Sequence, residues 1–302
     1  MKKLIALALA TTAITGTAFA QDTAITEFRI GILGGENAQD RMNSNECLRS
    51  SIEEALGVPT KIFAPADYNG VIQGLLGGSI DLSLMGPSSY AAVHIADESA
   101  VSPILVKVNS DGSTGYYSIG FARIDSGVTS LEGLKGKVFG FGDPNSTSGY
   151  LIPSIEIPQI TGASMDNGDY FGEVKFTGGH EQTIVAVNNG DVAAGVTWAD
   201  GQGNWEDGYN FGALRKAVDA GLVDMNDLVE IWRSKLIPGE PVVLRNALPD
   251  DVRATVTQII DTMGENDPAC AEAIAGGEVS GFDPITHDAY TSIVAARLAE
   301  SN

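Results

Sequence analysis

Positive charge is scarce in this chain: 302 residues carry 18 Lys and Arg against 39 Asp and Glu, a formal net charge of −21. So acidic a body argues against nucleic acid and anionic lipid surfaces as partners, because neither supplies counter-charge. Histidine and cysteine are rarer still. His94, His180 and His287 fall at no ligand spacing with one another or with Cys47 or Cys270, which argues against a metal centre. There is no phosphate-loop lysine motif, no His-Glu-x-x-His and no Gly-x-Ser-x-Gly elbow, so no cofactor or hydrolase signature is present. Long apolar runs are also missing. The one at Leu4–Ala10 is far shorter than the about 20 residues a membrane-spanning helix requires.

That short run belongs to a three-part pattern. Lys2 and Lys3 precede it, and a small-residue stretch ending Ala18-Phe19-Ala20 follows. The pattern predicts a bacterial signal peptide over residues 1–20, cleaved after Ala20. The chain is therefore expected in an exported, periplasmic setting that permits disulfides. With no Cys at the cleavage site, a lipoprotein anchor is not expected. Cys47 and Cys270 are expected to pair, with two free buried thiols as the alternative.

Hydrophobic periodicity predicts a strand at Phe28–Leu33 ending in Gly34-Gly35, then a helix from Ser44 to Leu56, a strand at Lys61–Ala64 and a helix opening at Asp67-Tyr68. A strand at Ile80–Leu84 leads through Met85-Gly86-Pro87 into another helix. The alternation restarts at Val138–Phe141, with a helix at Glu181–Asn188, a strand at Asp191–Val196, and closing helices at Asp250–Met263 and Thr286–Leu298. Alternating strand and helix predicts α/β lobes with mainly parallel sheets and helices on both faces. The glycine-bearing stretch Trp198–Phe211 reads as an exposed loop. Two lobes and a late return of the chain imply a cleft, with ligand where strand ends meet helix starts.

Between the Val138–Phe141 strand and the following helix lies Asp143-Pro144-Asn145-Ser146-Thr147-Ser148-Gly149. Three hydroxyls and the free N–H groups of a helix start form a neutral donor nest suited to a tetrahedral oxyanion. An ordinary helix cap is the plainer reading. His180, before the next helix, can add a donor or, if protonated, a charge. Tyr68, at a helix start, can offer a phenolic donor or simply pack. The same groups could mimic a hydrolase triad, but three clustered hydroxyls suit holding an anion better than attacking one.

Five ordered segments resemble the phosphonate-binding proteins of ABC transporters. They are Ala64-Pro65-Ala66-Asp67-Tyr68-Asn69-Gly70, Gly115-Tyr116-Tyr117-Ser118, Gly142–Gly149, Gly179-His180-Glu181, and Ile231-Trp232-Arg233-Ser234-Lys235-Leu236-Ile237-Pro238-Gly239-Glu240-Pro241. The resemblance implies a periplasmic-binding-protein fold of two hinged lobes that close on a ligand, acting as a monomer with a membrane permease as partner. Lobe 1 is expected over 21–118 plus 238–302, and lobe 2 over 119–237. By carry-over, Ser146, Thr147, Ser148 and His180 hold the phosphonyl oxygens, with Tyr68 reaching across from the other lobe. Glu240 falls where aminoalkylphosphonate binders carry an Asp that pairs with the ligand ammonium, which implies 2-aminoethylphosphonate as ligand.

Two positions depart from the pattern. Met85 stands where those binders place a Tyr, leaving Tyr90, Ser88 and Ser89 as candidate replacement donors. Trp198 falls nearest a second acid, with Asp200 two residues on. Either the indole stacks on an ammonium, or Asp200 replaces the acid, or Trp198 only walls the cleft. Phosphite, phosphate or methylphosphonate are the alternative ligands. A periplasmic phosphoester or phosphonate hydrolase, and a sensor subunit sharing the same site, are the alternatives of other classes.

Overall fold

The computed structural model describes residues 25–163, 168 and 170–300. The expected signal segment 1–20 lies outside the described residues. Among the described residues, eleven strands form two sheets. The first contains β1 (Phe28–Ile32), β2 (Thr60–Phe63), β3 (Leu82–Leu84), β4 (Val101–Asn109), β10 (Pro241–Arg245) and β11 (Val279–Pro284), in the order β11-β4-β10-β3-β1-β2. The second contains β5 (Tyr117–Arg123), β6 (Val138–Phe141), β7 (Glu173–Phe176), β8 (Ala194–Ala199) and β9 (Leu228–Arg233), in the order β7-β6-β8-β5-β9. Each sheet is covered by helices and has its own apolar clusters, Phe28, Ile30, Leu82 and Leu244 in the first and Phe121, Phe139, Phe141 and Val196 in the second. The result is a two-lobed α/β fold.

The sheets are mixed, which corrects the expectation of mainly parallel ones. β1 runs parallel to β2 and β3, and β6 to β7 and β8, as right-handed strand-helix-strand units require. The other pairings are antiparallel. They arise because the chain leaves the first sheet through β4, enters the second through β5, and returns from β9 to β10. The two crossing segments bond to each other, Tyr116 N–H to Ile237 C=O at 3.1 Å and the reverse at 2.8 Å.

Two local expectations also shift. The strand expected at Asp191–Val196 lies at Ala194–Ala199, because Val192 is still tied to the preceding helix through the Ala186 carbonyl. Trp198 is thus a strand residue. The segment after it is not an exposed loop throughout. Trp198, Asp200, Tyr209 and Phe211 are all buried, and Phe211 packs its ring 4.9 Å from the Trp198 ring. Cys47, in the helix Glu46–Leu56, and Cys270, in the helix Pro268–Ala275, are disulfide-bonded with Cα atoms 5.8 Å apart. The bond joins two helices of the Phe28–Leu244 cluster across 223 residues of sequence.

Candidate functional site

Four helices begin at the seam between the lobes: Tyr68–Leu76 and Pro87–Ala96 from the first, and His180–Asn189 and the π-helical turn Thr147–Leu151, continuing as Ile152–Thr161, from the second. Sequence sets each start. Asp67 caps the first by accepting from Gly70 N–H at 2.9 Å, Pro87 occupies the first position of the second, and Ser146 accepts from Gly149 N–H at 3.0 Å. Helix N-termini carry partial positive charge, so their convergence attracts an anion within an otherwise acidic protein. The seam is closed. Ser88 N–H donates to Thr147 Oγ1 at 2.8 Å, Tyr68 N–H to Asp143 Oδ2 at 3.3 Å, and Ser89 Oγ to the Asn145 carbonyl at 3.0 Å. Gly35 and Gly179 meet backbone to backbone: a Cβ on Gly179 would lie 2.6 Å from the Gly35 carbonyl oxygen.

Ser146, Thr147, Ser148, His180 and Tyr68 are all buried at this seam. The His180 imidazole is held on both sides, Nε2 lying 3.3 Å from Ser146 Oγ and Nδ1 3.2 Å from Thr197 Oγ1. Burial is the main cause that pushes its pKa down to about 4, against the opposing pull of Glu36 and Glu240. At neutral pH it is therefore a neutral hydrogen-bonding group, not a cation. Burial likewise raises the Tyr68 hydroxyl, which stays protonated and able to donate. Tyr116 completes the group. Its phenol is raised well above the usual range chiefly by burial, with Thr147 and Ser148 acting in the opposite direction, and its ring meets Trp198 edge-on at 6.0 Å.

Tyr68, His180, Trp198 and Glu240 also line a cavity of about 380 Å³. Its other charged walls include Glu36 after β1, Arg41 on the helix Ala38–Ser44, Lys107 on β4 and Lys216 on the helix Ala213–Asp219, none of them singled out from the sequence, and the acids Asp40, Glu181 and Glu272. Glu36 binds Lys216 Nζ at 3.0 Å and Arg41 Nη1 at 3.2 Å. Burial opposes its ionisation, but these two cations together hold its carboxyl well below the usual carboxylate range. Lys107 Nζ sits 4.8 Å from the Trp198 ring centre, 4.2 Å from that of Phe211, and 3.8 Å from Glu240 Oε2. Burial lowers the Lys107 pKa, while Glu240 acts in the opposite direction.

Six expected residues do not line the cavity: Ser146, Thr147 and Ser148, buried in the closed seam, and Tyr90, Met85 and Asp200. Tyr90 packs in the first lobe with its hydroxyl 2.8 Å from His287 Nδ1, so it is no replacement donor. Met85 is fully buried in the same cluster. Asp200 turns its carboxylate into its own loop, where Oδ1 accepts from Gln202 N–H at 3.2 Å and Phe211 N–H at 3.3 Å. Trp198 does wall the cavity, but its faces already carry the chain's own Lys107 and Lys216, the latter at 5.6 Å. Ser88 Oγ accepts from Arg297 Nη1 at 2.8 Å. One sequence signal pointed to Lys107: a lone cation inside the apolar run Ile104-Leu105-Val106-Lys107-Val108.

Residues 30–290 match the family model described as the periplasmic substrate-binding protein of phosphonate ABC transporters. The chain is 27% identical over 256 residues to the phosphate-import protein PhnD of Mycolicibacterium smegmatis, covering 82% of this chain and 76% of that protein. It is 28% identical over 239 residues to the phosphonates-binding periplasmic protein of Escherichia coli, covering 78% of this chain and 65% of that protein. A binding-protein component of an ABC phosphonate transporter from Pseudomonas aeruginosa superposes with a TM-score of 0.78 at 26% identity, over 91% of this chain and 86% of that one. These relatives are substrate-binding components of transporters, not enzymes.

Proposed function

We propose, from the premise that this chain belongs to the periplasmic substrate-binding proteins of phosphonate ABC transporters, that it captures an aminoalkylphosphonate, with 2-aminoethylphosphonate the simplest of that class. Residues 1–20 direct its export, the mature chain acts as a monomer, and a membrane permease recognises its closed lobes. Ser146, Thr147, Ser148, His180 and Tyr68 hold the phosphonyl oxygens through neutral donors. Glu240 meets the amine, and Trp198 walls the passage between them. The observation that carries this reading is that Glu240 lines the same cavity as His180 and Tyr68.

A second reading has its own support. Lys107 Nζ lies 3.8 Å from Glu240, so the carboxylate already has a resident cation. The cost of burying Glu240 without a ligand amine is correspondingly smaller, and with it the penalty against phosphate, phosphite or methylphosphonate.

Titration calorimetry of the chain from Gln21 onward, with 2-aminoethylphosphonate, methylphosphonate, phosphite and phosphate, separates the two readings. The expected result is preference for the aminophosphonate, lost in Glu240→Gln. Equal or tighter binding of the small oxyanions, unchanged in Glu240→Gln, would establish the second reading.

A further inference from the structure

The cavity lined by Glu240 holds donors without acceptors. Lys107 is only 3% exposed, and its Nζ makes no hydrogen bond among the described residues. Its nearest carboxylate oxygen, on Glu240, is 3.8 Å away, beyond hydrogen-bonding range. It lies over the Trp198 and Phe211 rings, which attract a cation but accept no conventional hydrogen bond, while Asp200 and Glu36 act on its charge from farther away without bonding it. Arg41 Nε is likewise buried and without a hydrogen-bond partner among the described residues, although Arg41 Nη1 meets Glu36. Both side chains line the same cavity as Glu240. Unmet donors of this kind are costly inside a protein unless a ligand satisfies them.

An acceptor carboxylate therefore stands beside one under-used donor, Lys107, and shares its cavity with a second, Arg41. That pairing complements an ammonium and a carboxylate carried on neighbouring atoms. A bare ammonium would satisfy Glu240 but leave Lys107 without an acceptor, and would place a second cation near it. We propose, resting on the aminophosphonate reading above, that the ligand tail carries a carboxylate next to its amine, the class of 2-amino-3-phosphonopropanoate. Lys107 donates to that carboxylate, Arg41 Nε is the second donor in the same cavity, and Glu240 accepts from the ammonium. A competing role for Lys107 is to offset the charge of the phosphonyl group. The indole of Trp198 argues against it, contacting Tyr116 and His180 of the headgroup site at 6.0 and 6.5 Å while Lys107 sits over its face.

The test is calorimetry of the exported chain with 2-amino-3-phosphonopropanoate, 2-aminoethylphosphonate and methylphosphonate, for wild type and Lys107→Met. Wild type is expected to bind the amino-carboxylate at least about 10-fold tighter than 2-aminoethylphosphonate, the scale of one charge-assisted hydrogen bond. Lys107→Met, checked for folding by thermal unfolding, is expected to weaken the amino-carboxylate about 10-fold or more and so erase its advantage, while 2-aminoethylphosphonate is not weakened because the cation beside its ammonium is gone. Binding of 2-aminoethylphosphonate as tight as that of the amino-carboxylate in wild type would overturn the inference while leaving the aminophosphonate reading intact, and needs no variant. An equal loss for all three ligands in Lys107→Met would overturn it in favour of the headgroup role. No binding of either amine-bearing ligand would overturn the underlying reading itself.

Discussion

The two ends of the cleft are built by opposite means. At the end proposed for the headgroup the donors are short hydroxyls, ring nitrogens and backbone N–H groups fixed at helix starts, and its titratable base, His180, is held neutral. At the tail end the groups are long charged side chains from separate elements: Glu36 and Arg41 near the start of the chain, Lys107 on β4, Lys216 in the second lobe and Glu240 at the return crossing. Geometry at a helix start is set by the backbone, so the headgroup end selects by shape and donor number. Charges on flexible stems instead choose among substituents, because each unmatched charge is penalised when the cleft closes. A family that shares one headgroup and differs in tails can therefore keep the first end and vary the second.

The strongest way to break this division is to stop the two ends from meeting. Gly179 has φ 174°, an extended value open to any residue, so its need for glycine comes from the Gly35 backbone across the seam, the Gln182 side chain nearby being free to turn away. Gly179→Val is expected to weaken every phosphonate by about 100-fold or more, on the order of 3 kcal/mol, with little loss of thermal stability in the unliganded chain. Calorimetry and small-angle scattering with and without ligand would read it. Retained compaction and affinity would show that closure does not depend on this contact.

Ser148→Ala sharpens the comparison from the headgroup side. Losing one hydroxyl of the proposed headgroup set should cost about 1.5–3 kcal/mol for a charged oxyanion, roughly 10- to 100-fold in affinity. The loss should be the same for methylphosphonate and 2-aminoethylphosphonate, whereas Glu240→Gln should discriminate between them. A tail-dependent effect of Ser148→Ala would contradict the separation of roles.

The asymmetry also governs what was legible in sequence. The residues proposed for the headgroup sit at helix starts, where capping and turn residues leave a local signature; Ser146, Thr147, Ser148, His180 and Tyr68 stood out there, and the family resemblance supplied their proposed role. Strand β6 and the start of the His180 helix were placed within a residue for the same reason. Mixed sheet pairing was not legible, since nothing local marks β4 and β10 as crossing strands. Arg41, Lys107 and Lys216 lie far apart in the chain and come together only in the folded structure. Lys107 inside an apolar strand was the one local hint. Tyr90 and Asp200 were misplaced because residue type suggested donors and acids, while burial gave them His287 and the Phe211 backbone as partners.

His180 provides a pH test of the neutral headgroup end. Its folded pKa, about 4, lies below the ordinary 6.5, so the unfolded chain binds the proton more readily. Its stabilising contribution is complete above pH 6.5 and is lost as pH falls towards 4. Wild type should therefore lose on the order of 1–2 kcal/mol more than His180→Asn across that interval, measured by denaturant unfolding at each pH. Parallel pH profiles would mean that the imidazole is not held neutral by its site.

The smallest expected effect is at Asp200. Burial raises its pKa, and its Oδ1 serves two backbone N–H groups that hold the turn carrying Phe211 beneath Lys107. Asparagine keeps an acceptor oxygen in the same place, so Asp200→Asn should change phosphonate affinity by no more than about 2-fold, with no preference among tails. Glu240→Gln makes the same chemical change on the cavity wall and should be felt only by amine-bearing ligands. If Asp200→Asn instead weakens those ligands selectively, the carboxylate reaches the ligand in solution. The tail end would then have two acids, and the ammonium would be shared between Glu240 and Asp200.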